Sequence, residues 1–169
     1  MTLRPRVPGH RGGQGHATAC RRFQRGIFVA LLAFTTASVS MAPSAVADSS
    51  DTLRAALLAA RGASCGPLRS DPLVEKTAAE VNASNDKWLN HDARVEPEAD
   101  ALPRLKDLGY GGSKAAILTG AGATDANSIT ALLLQGYLKI PDCSYTDYGV
   151  SALHNTSKDM ILTIVVLAA

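Results

Sequence analysis

His91 is followed by Asp92 and then by Glu96, Glu98 and Asp100, one imidazole with four carboxylates inside ten residues. Carboxylates of that kind hold hard divalent cations, and imidazole is a common partner in mixed sites. Zinc asks for three or four fixed protein ligands, usually several His or Cys at set spacing, which this loop does not offer. The pattern therefore supports at most a weak ion site built from His91, Glu96 and Glu98, and it makes His91 the candidate general acid or base of a divergent hydrolase. His154 is the only other histidine beyond residue 47, so a metal shared by two imidazoles would need the fold to join these positions.

Other chemistry-bearing patterns are weaker. Ser84-Asn85-Asp86-Lys87 has the Ser-x-x-Lys spacing of penicillin-recognising enzymes, but the companion Ser-Asp-Asn and Lys-Thr-Gly stretches are absent, as is any Gly-x-Ser-x-Gly elbow. Gly109-Tyr110-Gly111-Gly112-Ser113-Lys114 is glycine-rich without the spacing of a phosphate-binding loop, and it reads as a sharp turn. Tyr137, Tyr145 and Tyr148 form a candidate aromatic cluster for ligand binding, to be weighed against a core role with the hydroxyls at the surface. Cys65 and Cys143 have neither Cys-x-x-Cys spacing nor a third soft ligand. Cys20 lies within residues 1–47, so residues 48–169 hold an even count of two, which an oxidising compartment pairs, and closing a loop of roughly 80 residues stabilises a fold by about 2–4 kcal/mol.

Charge and hydropathy divide the chain near residue 47. Residues 1–47 carry six Arg and no acidic side chain, while residues 48–169 carry 11 basic and 15 acidic ones. A nucleic-acid partner is not expected, because the positive charge lies in the leader. Arg21-Arg22-Phe23-Gln24-Arg25, an apolar run from Ile27 to Val39, and Ala45-Val46-Ala47 before Asp48 have the order of a secretory signal peptide. Residues 1–47 are thus expected to be a cleaved leader, and residues 48–169 one domain, secreted or envelope-associated and without a stable transmembrane segment. The Arg pair leaves the general secretory and twin-arginine routes both open.

The elements that must position these residues follow from periodicity. Leu53, Ala56, Leu57, Leu58 and Ala60 predict a helix from Asp51 to Arg61, stopped by Gly62. Asp71-Pro72 predicts the start of a second helix running to about Asn90, its inward face holding Leu73, Ala78, Val81, Ala83 or Asn85, Trp88 and Leu89. His91 to Asp100 reads as a surface loop. Leu102, Leu105 and Leu108 give a short third helix ending at Gly109. Ala115 to Leu118 reads as a short strand or extended stretch before Gly120-Ala121-Gly122, and Ala126 to Leu133 as a fourth helix capped by Thr124 or Asp125. Tyr145–Leu153 and Asp159–Leu167 flank the turn-like Asn155-Thr156-Ser157-Lys158 and predict a β-hairpin, whose second strand is apolar enough to be covered on both faces. The class is α/β, with helices on a small, mainly antiparallel sheet and one disulfide.

Two segments carry a resemblance: Ala63-Ser64-Cys65-Gly66-Pro67-Leu68-Arg69-Ser70-Asp71-Pro72-Leu73 and Cys143-Ser144-Tyr145-Thr146-Asp147-Tyr148-Gly149-Val150. In this order they look like the CAP superfamily, also called SCP-like or PR-1-like, in its short bacterial secreted form. Arg104-Leu105-Lys106-Asp107-Leu108-Gly109-Tyr110 is similar to that family's third short helix. The resemblance covers nearly all of residues 51–169 and implies an α-β-α sandwich. It also implies a cleft with two His and two acids, the first being His91. Gly112-Ser113-Lys114-Ala115-Ala116-Ile117-Leu118 stands where the family's Gly-Glu-Asn stretch belongs, and no Pro-Gly-His-Arg segment precedes Cys143. The expectation is a CAP-like binding protein without cofactor or turnover, its ligand a lipid or small amphiphile at the cell envelope. The alternatives are a hydrolase using His91, or a structural or protein-interaction module of the envelope.

Overall fold

The computed structural model describes residues 48–169, so the leader expected over residues 1–47 lies outside the described residues. The element order is α1 (Ser49–Arg61), β1 (Arg69–Ser70), α2 (Pro72–Leu89), α3 (Leu102–Asp107), β2 (Ala115–Gly122), α4 (Asp125–Gln135), β3 (Asp147–Asn155) and β4 (Met160–Ala168). The sheet runs β1-β3-β4-β2, with β1 parallel to β3 and the other two pairs antiparallel.

β4 explains the layering. Its side chains alternate between two apolar clusters: Val165 and Leu167 join Leu53 and Leu57 of α1 and Ile129 and Leu132 of α4, whereas Ile164, Val166 and Ala168 join Val74, Ala78 and Val81 of α2 and Leu105 of α3. A strand with period-2 side chains can meet both clusters only if helices cover both faces. The expected α/β class is therefore what the chain adopts, as a sandwich with α1 and α4 on one face and α2 and α3 on the other.

Local chemistry sets the element ends. Asp71 accepts hydrogen bonds from the Leu73 and Val74 amides at 2.9 and 3.2 Å, and Pro72 follows it, so α2 begins where its free amides are satisfied. Thr124, one of the two expected caps, accepts from Asn127 N–H at the start of α4. Gly149 lies directly beneath α2, where a Cβ would overlap the Val74–Glu75 peptide. That close approach lets Glu75 Oε2 accept from Val150 N–H at 2.9 Å, beyond the point where the two-residue β1 stops pairing with β3.

Three expectations need adjustment. β2 continues through Gly120-Ala121-Gly122, which has the composition of a turn, because Gly120 makes room for α4: a Cβ there would overlap Ser128 O. β1 is an addition, since Arg69-Ser70 has no strand character of its own and is held by its register with Asp147 and Tyr148. The buried face of α2 is Val74, Thr77, Ala78, Val81 and Asn82, while Trp88 and Leu89, expected inside, are 40% and 36% exposed.

Candidate functional site

His91 occupies a backbone position. Its φ is 62°, in the left-handed region. His91 N–H donates to Trp88 O at 3.0 Å and Asp92 N–H to Lys87 O at 2.8 Å, the paired bonds of a Schellman C-cap. The residue thus turns the chain out of α2 at a place glycine usually fills, and its ring is exposed. Glu96 and Glu98 lie further along the loop, and among the described residues no three His, Cys, Asp or Glu side chains group closely enough to hold a metal ion. His154 instead faces Asp159 across the hairpin turn, Nε2 to Oδ1 3.2 Å.

The three tyrosines separate. Tyr145 and Tyr148 are buried in the cluster under α1, whereas Tyr137 is 67% exposed beyond α4. Lys114, at the end of the glycine-rich turn, donates to Asp142 Oδ2 at 2.9 Å and to Ser144 Oγ, with its Nζ 4.1 Å from the Tyr145 ring centroid. The Lys114 ammonium, then the Ser144 hydroxyl and amide, hold the Asp142 carboxyl well below the usual carboxylate range.

Cys65 and Cys143 are joined, with their Cα atoms 5.1 Å apart. Beside them lies a residue that no sequence motif singles out. Arg61, at the last turn of α1, is buried and donates to Ile140 O, Asp142 O and Tyr145 O at 2.6, 2.8 and 2.8 Å. A second polar group surrounds Asp147, which is buried at the start of β3. It accepts from Tyr110 Oη at 2.7 Å and from Arg69 at 2.8 Å. Burial, then the hydrogen bond to that carboxylate, push the Tyr110 hydroxyl above the ordinary tyrosine range. At the hairpin end, Asn155 Nδ2 donates to Asp86 Oδ1 and Asn90 Oδ1 at 2.8 and 3.0 Å, fixing the last turn of α2 against the sheet. These groups organise the frame.

The open chemistry lies along the free flank of α2. A cavity of about 350 Å³ is lined by Glu80, Val81, Ser84, Val95, Glu96, Glu98 and Arg104. It shares Val81, Glu96 and Glu98 with a second, of about 260 Å³, that also takes in Asn85, Trp88, Ile117 and Thr119. A third, of about 330 Å³, shares Asn85, Trp88 and Thr119 with the second and continues over Leu89, Ala121, Leu162 and Ile164. The three adjoin as a groove along α2, the 93–98 loop and the β2–β4 part of the sheet, the third reaching Ala131 of α4. One end carries charged side chains and the other carries none. Arg104 makes a two-pronged contact with Glu80, Nε to Oε2 2.6 Å and Nη2 to Oε1 2.8 Å, and this pairing lowers the Glu80 carboxyl pKa. Ligand pockets are built this way, from apolar walls with a few polar groups at one end.

Fold and groove together define a small three-layer α-β-α domain with an open, amphipathic cleft. No protein-family model and no curated protein matches the chain. Among solved structures, the fold is similar to an outer surface protein from Borrelia burgdorferi, with a TM-score of 0.51 and 10% sequence identity over 69% of this chain and 88% of that one. At that identity the likeness concerns the fold alone. Among the described residues no helix is long and apolar enough to cross a membrane.

Proposed function

We propose that this chain is an exported, CAP-like protein of the cell envelope that binds a small amphiphile in the groove beside α2. The observation that carries this reading is the run of adjoining cavities with Trp88 at its centre, apolar toward Leu162 and Ile164 and charged toward Glu96 and Glu98. Export is supported by the Arg-rich segment, apolar run and Ala45-Val46-Ala47 of the leader, and by a disulfide suited to an oxidising compartment. The outer-surface location in the name of the Borrelia protein agrees with it. The CAP-like frame is supported by the Cys65-Gly66-Pro67-Leu68 stretch leading to the Asp71-Pro72 helix start, and by Cys143-Ser144-Tyr145-Thr146-Asp147 leading into β3.

Trp88 is the only tryptophan in the protein, so its emission reports on the groove alone. Decyl maltoside, titrated below its micelle concentration, is expected to shift that emission to shorter wavelength with saturation. Thr119→Arg, which places a long charged side chain where the second and third cavities meet, is expected to abolish the shift while far-ultraviolet circular dichroism stays unchanged. Unaltered emission in the parent protein, or equal binding by a folded Thr119→Arg variant, would overturn the reading.

A further inference from the structure

The middle cavity is lined by Trp88 together with Glu96 and Glu98. An aromatic face beside carboxylates is the donor set that recognises alkylammonium groups, through cation–π attraction and charge pairing. The local balance points the same way. Three carboxylates, Glu80, Glu96 and Glu98, line the charged end against one guanidinium, Arg104, and that guanidinium is already engaged by Glu80. Neither Glu96 nor Glu98 forms an ion pair among the described residues. From there the groove loses its charge, passing Thr119 to a wall of Leu89, Leu162 and Ile164.

We propose that the amphiphile taken by this groove has a single apolar chain and a cationic headgroup, an amine or quaternary ammonium, seated between Trp88 and the Glu96 and Glu98 carboxylates with its chain directed toward Leu162. This rests on the groove reading above and adds the headgroup and the orientation. Anionic headgroups are disfavoured by the same carboxylates.

The test compares three probes of equal chain length, decyltrimethylammonium, decyl maltoside and decanoate, each below its micelle concentration and each followed by Trp88 emission. The cationic probe is expected to bind about tenfold more tightly than the neutral one, the scale set by two exposed carboxylates near one ammonium in water. Decanoate is expected to bind more weakly than either. The preference should shrink at about 0.5 M salt, where the screening length falls to a few ångströms. The double variant E96Q/E98Q, changed only on the exposed loop, is expected to abolish the preference, so that the cationic and neutral probes bind that variant with equal affinity. Equal affinity for all three probes, or a cationic preference that survives E96Q/E98Q, would overturn the headgroup assignment while leaving an amphiphile site in place. Absence of binding by every probe would overturn both readings.

Discussion

Replacing Arg61 with Met tests whether α1 is tied to the 140–145 segment by one buried guanidinium. The side chain satisfies three carbonyl oxygens, and the hydrogen bonds to Ile140 O and Tyr145 O are buried. Asp142 O has a second donor in the Tyr145 amide at 3.2 Å, so it is not left empty when Arg61 goes. Two buried carbonyls then lose the Arg61 hydrogen bond, each at a cost of about 1–3 kcal/mol. Against this stands the relief of a buried cation whose Nε has no partner. Met keeps most of the apolar stem, so the packing change is small. The expected loss is about 3 kcal/mol, a large share of a domain stability of about 5–15 kcal/mol. Urea denaturation of the oxidised protein, followed at Trp88, measures it directly. The same substitution in the Cys65→Ser/Cys143→Ser background should cost more than in the parent, because the disulfide otherwise holds the same segment and the two restraints are not additive. A loss under about 1 kcal/mol in both backgrounds would refute the view that this guanidinium anchors α1, since it would be below the cost of even one such carbonyl.

Two further outcomes follow from the geometry. His91→Gly removes a side chain from a left-handed C-cap position and is expected to raise stability by up to about 1 kcal/mol in urea denaturation, with decyl maltoside binding unchanged; lowered stability, or lost binding by a folded protein, would give the His91 side chain a role beyond the turn. Tyr110 has a pKa raised in the folded state, so its stabilising contribution is complete below the ordinary tyrosine value of about 10 and is lost as pH rises toward the higher folded value. The urea midpoint should therefore fall with pH above about 10 more steeply in the parent than in Tyr110→Phe, and parallel pH profiles would refute a raised Tyr110 pKa in the fold.

The parts of the fold legible in the sequence are those where one physical demand dominates. A run of branched apolar residues from Met160 to Leu167 has no solvent face, so it predicts a strand covered on both sides, and β4 is that strand. Asp71-Pro72 announces a helix start because the carboxylate and the missing amide both suit free N–H groups, and α2 begins there. Where two demands compete, composition misleads. Gly120 and Gly122 look like a turn because glycine permits one, yet they lie in β2 because α4 passes too close for any Cβ. Arg61 reads as the basic last turn of an ordinary helix, and nothing local shows that three carbonyls some 80 positions away converge on it. His91 stands out for its ring, whereas the structure uses its backbone.

The groove itself comes from a periodicity that outlasts its support. Val74, Thr77, Ala78, Val81 and Asn82 face the sheet, and the same helical spacing continues through Asn85 to Trp88 and Leu89. Reading Trp88 and Leu89 as core therefore extends a correct stripe past the place where the sheet meets it. On its β3 side the last turn of α2 is pinned by Asn155 to Asp86 and Asn90, while on its β2 side a cavity lined by Thr119, Leu162 and Ile164 lies between Trp88, Leu89 and the sheet. Apolar side chains held apart from an apolar strand surface by polar anchors are stabilised by whatever apolar chain fills the gap, at roughly 25 cal/mol for each Å² removed from water. The misplaced core residues and the groove are one feature, produced by a helix whose inward stripe is longer than the face it covers.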